Sequence, residues 1–326
     1  MKDSYGRDIN YLRVSITDRC NLRCRYCMPE EGIDKIEHHR ILSLEEISRL
    51  IKIASGLGIK KVRLTGGEPL IRRNIVQLVS DIASLPEIDD LALTTNGMLF
   101  PNMAEDLKKA GLKRVNFSMD TMSAEKFKYI TRGGELEKVK QAIFRALELG
   151  MEPVKINTVI INGFNDNEIM DFAQLVYQYP LHIRFIEFMP VGDLFYWKPE
   201  RVLGVDKIKA RIEQEYELYE GTKIEGNGPA KYYHVRRGAG TIGFISPMSN
   251  HFCGSCNRIR MTADGSLRGC LYEKSETNLK LALMAGAGDE ELKQLFIQTI
   301  VKKAPRHQMD SGWGKDNERK MYQIGG

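Results

Sequence analysis

The chain has 326 residues, of which 42% are hydrophobic and 28% charged, with a formal net charge of +5; this suits one large globular domain or one and a half. No run of about 20 apolar residues predicts a membrane span, and residues 1–7 lack the apolar stretch of a secretory signal, so we expect a cytoplasmic protein with no membrane partner. The modest positive charge permits an anionic substrate, but it does not indicate nucleic acid, which we do not expect as a partner.

Short apolar runs alternate with helical patterns about every 30 residues, a rhythm that predicts parallel strands joined by helices. The predicted strands cover residues 11–17, 61–65, 91–95, 114–119, 153–161 and 183–189, and the predicted helices cover 43–56, 74–84, 104–110, 123–130, 135–149 and 168–177. Ser43 and Glu46 have the spacing of a capping box at the start of the first helix. Six βα units predict an α/β fold with a partial, TIM-like (β/α)6 barrel, whose chemistry lies at the carboxyl ends of the strands.

The rhythm changes after about residue 217. Glycine becomes frequent between 221 and 254, and alternating stretches at 232–236 and 241–245 predict antiparallel hairpins. We therefore predict a barrel over residues 1–217 and a smaller C-terminal region over 218–326 that covers its open side. A helical pattern follows at 289–303, and the remaining residues show no periodicity before the chain ends in Gly325 and Gly326.

Three cysteines, Cys20, Cys24 and Cys27, follow the first predicted strand in a CxxxCxxC spacing. Thiolates this close together suit iron–sulfur clusters, zinc and Cu(I). A [4Fe–4S] cluster usually takes four thiolates, so three leave one iron open to a small molecule. A zinc ion would need a fourth ligand from elsewhere. The spacing alone leaves structural zinc and merely buried cysteines as alternatives.

A second set of three cysteines, Cys253, Cys256 and Cys270, lies near the other end of the chain. From its spacing, zinc with an added histidine such as His251 is as well favoured as an iron–sulfur cluster. We interpret His251 as a solvated loop residue. The six cysteines divide into two complete sets, which in an intracellular chain indicates metal rather than disulfides.

The first cysteine set, with Tyr26 before its last cysteine, resembles the signature of the radical S-adenosylmethionine (SAM) superfamily. The run Gly66-Gly67-Glu68-Pro69 resembles that superfamily's GGEP motif. Either motif alone is weak, but their order and separation together are specific. The resemblance implies a barrel of the radical SAM type and a [4Fe–4S] cluster whose open iron binds SAM.

Two cysteine triads, the run Cys256-Asn-Arg258-Ile-Arg260 and a terminal Gly-Gly narrow this resemblance to the MoaA family, the GTP 3′,8-cyclases of molybdenum-cofactor biosynthesis. It covers nearly the whole chain, including residues 18–29, 63–70, 93–97 and 184–189. Phe117 and Met119, where aliphatic residues are expected, are mild departures from the family pattern. In this family context, a second [4Fe–4S] cluster becomes the better interpretation of the second cysteine set.

The resemblance also implies which residues bind the ligands. Those expected to bind SAM are Tyr26, Gly67, Glu68, Ser118 and Met189. Those expected to bind GTP are Arg13, Lys61, Arg63, Thr94, Lys155, Arg184, Arg258 and Arg260. Those expected to act in catalysis are Arg13, Arg258, Arg260, Gly325 and Gly326. Arginine and lysine suit a triphosphate because they form charge-assisted hydrogen bonds, although any one of them alone is more typical of ordinary surface charge.

The implied reaction begins when an adenosyl radical takes hydrogen from C3′ of GTP, after which C3′ bonds to guanine C8 while the second cluster holds the base. The implied partners are an electron donor and a downstream enzyme that forms cyclic pyranopterin phosphate, and the chain is expected as a monomer or homodimer. The terminal Gly-Gly has three interpretations: a frayed end, a diglycine like that of carrier proteins, or a tail that enters the active-site cavity.

Two alternatives remain. A peptide-modifying radical SAM enzyme with auxiliary clusters usually needs more C-terminal cysteines than the three present here. A zinc-binding, RNA-associated protein without catalysis would use the basic surplus and would bind zinc but not SAM. The alternating βα units disfavour such a small zinc module.

Overall fold

The computed structural model describes residues 1–33, 36–191, 195–221, 228–307 and 319–325. Six strands carry the repeating units: β1 (Tyr11–Ser15), β2 (Lys61–Thr65), β3 (Asp90–Thr95), β4 (Arg114–Ser118), β5 (Lys155–Ile160) and β6 (His182–Glu187). The helices between and after them are α1 (Leu44–Ser55), α2 (Ile75–Ala83), α3 (Ala104–Lys109), α4 (Ala124–Thr131), α5 (Leu136–Glu148), α6 (Ile169–Gln178) and α7 (Val205–Ile212). Each strand pairs in parallel with the next, which confirms the predicted six-unit barrel.

The later elements are β7 (Leu218–Glu220), β8 (Lys231–Val235), β9 (Thr241–Ile245), β10 (Arg258–Met261), β11 (Ser266–Arg268), β12 (Thr277–Asn278), α8 (Leu279–Met284), α9 (Asp289–Val301) and α10 (Met321–Ile324). The predicted hairpin is confirmed, because β8 and β9 pair antiparallel. The sequence pattern does not predict α7, or α10 in the stretch that lacks periodicity.

The strands after residue 217 extend the barrel sheet at both edges. β9 pairs in parallel with β6, and β10 pairs in parallel with β1. The sheet order is β12-β11-β10-β1-β2-β3-β4-β5-β6-β9-β8-β7. One sheet thus crosses the domain boundary predicted at residues 217–218, and that boundary stays a prediction.

The first helix begins as its sequence predicts. The backbone N–H of Ser43 donates to Glu46 Oε2 at 2.7 Å, and the N–H of Glu46 donates to Ser43 Oγ at 3.1 Å, so the capping box is present. Ile47, Leu50 and Ile51 lie fully buried on the face that packs against the sheet. Burial of side chains of this size stabilises the fold by about 1.5–3 kcal/mol each.

Side chains alternate between the two faces of the parallel strands. On β1, Leu12 and Val14 are buried with the helices in the main apolar core, whereas Arg13 lines the cavity inside the barrel. The strand registers repeat this division, since Arg13 lies opposite Arg63 on one side and Arg260 on the other. The barrel therefore has an apolar outer face and a polar inner face.

The two cysteine sets lie at opposite ends of the parallel strands. Cys20 follows the carboxyl end of β1, whereas Cys256 precedes the amino end of β10, the strand that runs parallel beside it. Cys270 follows β11. Because β11 is antiparallel to β10, Cys270 lies at the same end of the strands as Cys256. A ligand inside the barrel would lie between the two sets. Among the described residues, no helix has both the length and the apolar character that a membrane crossing requires.

Candidate active site

The first cysteine loop packs against the end of α4. The backbone N–H of Arg25 donates to the Ile130 carbonyl at 2.9 Å, and all three cysteines are half-buried. Burial raises the pKa of Cys20 to about 11 and that of Cys27 to about 12. Burial, and then the neighbouring Cys27 and Cys20, also raise the pKa of Cys24. Three thiols this close ionise readily only with a compensating cation, so the donor set fits an iron–sulfur cluster.

Gly66 and Gly67 bring the loop after β2 against the backbone that leads to Cys20. A Cβ on Gly67 would lie 2.2 Å from the Arg19 carbonyl oxygen, and one on Gly66 would lie 2.6 Å from that of Thr17. The N–H of Gly67 donates to this Thr17 oxygen at 2.8 Å. Glycine is therefore required here for backbone–backbone packing, a reason that does not depend on close approach to SAM.

Glu68 connects the loops that follow β2 and β3. Its carboxylate is buried and accepts hydrogen bonds from Leu70 N at 3.0 Å, Thr95 Oγ1 at 2.7 Å and Asn96 N at 2.8 Å. Burial raises the pKa of Glu68 to about 7, although these hydrogen bonds oppose the shift. A carboxylate offers about four acceptor positions, so one remains for the predicted contact with the SAM ammonium group.

The other predicted SAM-binding residues also lie towards the carboxyl ends of the strands. Tyr26 donates its hydroxyl to Asp120 Oδ2 at 2.6 Å, and burial raises the pKa of Asp120 to about 6. Ser118 ends β4, and Met189 follows β6 and lines the central cavity. These positions and the first cysteine loop belong to one edge of the barrel.

The residues predicted to bind GTP share the inner face of the parallel strands. Thr94 lies opposite Asn116, which lies opposite Lys155, and two residues further along β5 Asn157 lies opposite Arg184. The set comprises Arg13, Lys61, Arg63, Thr94, Lys155, Arg184, Arg258 and Arg260. The Thr94 hydroxyl is buried and has no hydrogen-bond partner in the described part of the chain.

Positive charge accumulates inside the barrel beyond what nearby carboxylates balance. Asp90 pairs with Arg114, but no carboxylate among the residues described forms a salt bridge with Arg63, Arg184 or Arg260. Burial, and then repulsion by neighbouring arginines, lower the pKa of Lys155 to about 6 and that of Arg63 to about 10. The pKa of Arg260 falls to about 10 from burial and from Arg258. Buried cations in this number favour a polyanionic ligand.

The second cysteine set lies beside Arg258, one of these basic residues, and beside a further cation, Lys303. Burial alone would raise the pKa of Cys256, but Arg258 and Lys303 outweigh it and lower the pKa to about 6. The Arg258 guanidinium lies 3.7 Å and the Lys303 ammonium 3.6 Å from the Cys256 sulfur. A stabilised thiolate is the form that binds a metal, so this set also fits a cluster.

Neither set is arranged around a single point. Within the described ranges, no group of three or more His, Cys, Asp or Glu side chains is close enough to hold one ion. A zinc ion gathers its ligands around one atom, whereas a [4Fe–4S] cluster binds each thiolate through a different iron and spaces them further apart.

The C-terminal tail enters the barrel. The Gly325 carbonyl accepts from Arg260 Nη1 at 2.7 Å and from Arg13 Nη2 at 3.5 Å. The backbone N–H of Tyr322 donates to the Cys27 sulfur, which lowers the pKa of that thiol against the larger effect of burial. Gly326, the other predicted tail residue, lies outside the described residues.

His251 is not the solvated loop residue that the sequence interpretation expects. It is half-buried, and its Nδ1 lies 3.1 Å from Nε2 of the buried His307, with the two rings edge to face. Two imidazoles in contact exclude water from each other, which is why the loop position does not make His251 exposed.

Sequence reasoning missed several polar residues of the site. Asn116, which accepts from Arg184 Nη2 at 2.8 Å, and Asn157 lie on the inner face. Their period-two spacing with Ser118 and Lys155 is a signal that would have found them. For Arg7 and Lys303, which contact the second cysteine loops, no local pattern in the sequence gives a signal.

Two family models match the chain. One, described as the radical SAM superfamily, matches residues 14–176, and the other, Molybdenum Cofactor Synthesis C, matches residues 181–309. A GTP 3′,8-cyclase of Syntrophomonas wolfei subsp. wolfei is 64% identical over 326 residues and covers 100% of both chains. A GTP 3′,8-cyclase of Desulforamulus reducens is 50% identical over 327 residues with the same coverage.

Solved structures of similar fold share less sequence with the chain. SuiB of Streptococcus suis bound to S-adenosylmethionine has a TM-score of 0.59 at 13% identity, over 88% of this chain and 68% of that one. Native anSMEcpe with bound AdoMet has a TM-score of 0.56 at 16% identity, over 89% of this chain and 83% of that one. At these identities the likeness shows the fold alone.

Proposed function

The chain belongs to the GTP 3′,8-cyclase family of radical SAM enzymes, and we propose that it converts GTP to (8S)-3′,8-cyclo-7,8-dihydroguanosine 5′-triphosphate in molybdenum-cofactor biosynthesis. When bound, a [4Fe–4S] cluster and SAM supply a 5′-deoxyadenosyl radical that takes the C3′ hydrogen of GTP. The observation that carries the assignment of GTP to this barrel is the set of buried cations on its inner face.

Cys20, Cys24 and Cys27 would hold the SAM-binding cluster. Tyr26, Gly67, Glu68, Ser118 and Met189 would bind SAM. Their position at the carboxyl edge of the strands supports this role, because ligands of parallel barrels bind at that edge. Glu68 would accept from the ammonium of SAM while still bracing the loop beside it.

The triphosphate would bind the inner-face cations. Arg13, Arg63 and Arg260 lie at the same level of three neighbouring strands, so their guanidinium groups converge on one region of the cavity. Phosphate oxygens would replace the repulsion among these groups with charge-assisted hydrogen bonds. Lys61, Thr94, Lys155, Arg184 and Arg258 would complete the GTP contacts.

A second [4Fe–4S] cluster on Cys253, Cys256 and Cys270 would hold the guanine base. The low pKa of Cys256 supports cluster binding, and the separation of the two cysteine sets supports a substrate that lies between them. GTP anchored by its base at the second cysteine set would present its ribose towards the proposed SAM site at the carboxyl ends of the strands. The surrounding barrel wall would exclude water from the reacting carbons.

Gly325 and Gly326 would position groups for cyclisation rather than hold the fold. The Gly325 carbonyl contacts two of the proposed catalytic arginines, Arg260 and Arg13. Such a contact fixes the direction of the guanidinium groups before substrate binds. Three further expectations remain proposals, namely an electron donor, a downstream enzyme that forms cyclic pyranopterin phosphate, and a monomeric or homodimeric state.

Transfer of the C3′ hydrogen tests the function directly. Anaerobically reconstituted enzyme, reduced with dithionite, would be given SAM and GTP deuterated at C3′, with guanosine carrying the same C3′ deuterium as a matched control lacking phosphates. We expect deuterium in 5′-deoxyadenosine and a cyclised nucleotide product with GTP only. A protein that binds zinc without iron, or that transfers no deuterium, would contradict the proposal.

A further inference from the structure

Lys303 joins the two loops that carry the second cysteine set. It follows the end of α9 and is only 2% exposed. Its ammonium donates to the Gly269 carbonyl at 2.5 Å and lies 3.6 Å from the Cys256 sulfur. Gly269 directly precedes Cys270. The Lys303 side chain thus contacts the loop of Cys270 through a backbone carbonyl and the loop of Cys253 and Cys256 through a cysteine sulfur.

A buried ammonium needs a negative partner, because removing the charge from water is costly. No carboxylate in the described parts of the chain forms a salt bridge with Lys303. An anionic group in contact with it is the Cys256 sulfur, whose thiolate Arg258 also approaches. The position of Lys303 therefore makes sense when the second set carries the negative charge of thiolate ligands.

Arg7 fixes the segment that Lys303 begins. It is buried and pairs with Asp3, with 2.6 Å between Nε and Oδ2. Its Nη1 donates to the carbonyls of Cys253 at 3.0 Å and Pro305 at 2.9 Å. Its Nη2 donates to the carbonyl of Ala304 at 2.8 Å. Arg7 thus connects the remaining cysteine of the set to the chain immediately after Lys303.

We propose that Lys303, held in place by Arg7, is a positioning residue that compensates the charge of the second cluster and keeps its two cysteine loops in register. This inference rests on the second cluster of the proposed function. A positive charge and a hydrogen-bond donor beside a ligand sulfur favour the reduced cluster, which carries one more negative charge. Lys303 accordingly raises the reduction potential of that cluster.

The test compares Lys303→Met, Lys303→Gln and Lys303→Arg with the matched control Lys302→Met, which alters an exposed neighbour. Each change is made in the full chain carrying Cys24→Ala, so that redox titration followed by electron paramagnetic resonance reports the second cluster. We expect Met and Gln to lower its midpoint potential and its iron content. Arg should restore both towards the values of the Lys303 parent, and Lys302→Met should change neither.

The outcomes separate this inference from the proposed function. Unchanged potential and iron content in both Met and Gln variants would overturn the role of Lys303. Loss of the second cluster from Lys303→Met, with the melting temperature kept, would support it. If the Met variant unfolds, the Gln variant decides in the same way, because it keeps a donor for Gly269. A Lys303 parent without any second cluster would instead contradict the proposed function itself.

Discussion

The carbonyl oxygen of Gly325 lies 2.7 Å from Nη1 of Arg260 inside the barrel. Gly325 has a positive φ of 78°, and a Cβ there would lie 2.3 Å from Thr65 Oγ1. A residue with a side chain would therefore be strained and would collide with β2. The positive φ and the close approach to Thr65 explain why glycine is needed where the tail meets the inner-face arginines.

The two cysteine sets should perform separable tasks. The intact enzyme should bind about eight irons, four for each cluster. Cys24→Ala should abolish reductive SAM cleavage because it breaks the set beside the proposed SAM site. Cys256→Ala should keep SAM cleavage but stop GTP cyclisation, with about four irons left. Iron analysis and 5′-deoxyadenosine quantification measure both effects.

Ala substitution at a surface residue such as Lys52 provides the control for handling and reconstitution. It should leave iron content and both activities as they are. Equal loss of SAM cleavage in the Cys24 and Cys256 variants would contradict the division between the two sets.

GTP binding should take up a proton at Lys155. Burial and neighbouring arginines lower the Lys155 pKa from 10.5 to about 6, so the amine is largely neutral in the empty enzyme at pH 8. A bound triphosphate favours the charged form and raises this pKa, so uptake should occur between about pH 6 and pH 10. Calorimetry in buffers of different ionisation enthalpy measures the proton count.

Lys155→Met should remove this uptake at pH 8, whereas Lys113→Met, at an exposed lysine outside the inner face, should preserve it. Binding enthalpies that do not vary with the buffer in the unmodified enzyme would show that Lys155 is already charged, or stays neutral, when GTP binds.

Arg63→Met should weaken GTP binding while it stabilises the ligand-free protein. The loss of a charged hydrogen bond to phosphate should cost roughly 1.5–3 kcal/mol of binding free energy. In the empty barrel, however, the substitution removes a buried cation that no described carboxylate pairs, so the melting temperature should rise. Guanosine affinity should not change. A lower melting temperature would contradict the cost assigned to the unpaired buried cation, and an equal loss for guanosine would contradict the triphosphate role.

The barrel strands were predictable from sequence because their signal is local. Alternation around Arg13 and Arg63 marks a strand with one apolar and one polar face, and the Ser43–Glu46 spacing marks a helix start. The parallel edges formed by β9 and β10 were not predictable in this way. β10 pairs with β1, which lies far away in the sequence, and β9 pairs with β6 although α7, β7 and β8 lie between them. Register across such distances depends on tertiary packing.

In the candidate site, too, residues in local motifs were predictable from the sequence, whereas residues brought in by tertiary packing were not. Cysteine spacing and the GGEP run indicate, from the sequence alone, the two cysteine sets and the residues proposed to bind SAM. The sequence does not mark Lys303 as part of the site, because a lysine just after a helix is common: its charge interacts favourably with the helix carboxyl end. Its contact with Cys256 arises only because α9 ends beside β11.

Arg319 should anchor the tail outside the barrel. Its guanidinium contacts Asp264 Oδ2 at 2.8 Å, Glu276 Oε2 at 2.7 Å and Ser266 Oγ at 3.0 Å. Arg319→Ala should therefore increase hydrogen exchange of residues 320–325 and lower cyclisation more than SAM cleavage. Arg319→Lys should recover part of both. Unchanged exchange protection in the Ala variant would show that the tail is held by its inner contacts alone.

Deletion of Gly325 and Gly326 should separate SAM cleavage from cyclisation. The six cysteines proposed as cluster ligands are not part of the deleted segment, so iron content and SAM cleavage should persist. GTP affinity should stay within roughly tenfold, about 1.4 kcal/mol, because the inner-face cations remain. Cyclised product should nevertheless be largely lost, since Arg260 and Arg13 no longer have the Gly325 carbonyl to direct them. Product quantification by mass spectrometry measures this, and Gly325→Ala should give an intermediate loss because its Cβ meets Thr65. Full cyclase turnover in the truncated enzyme would show that the tail only fills space in the barrel.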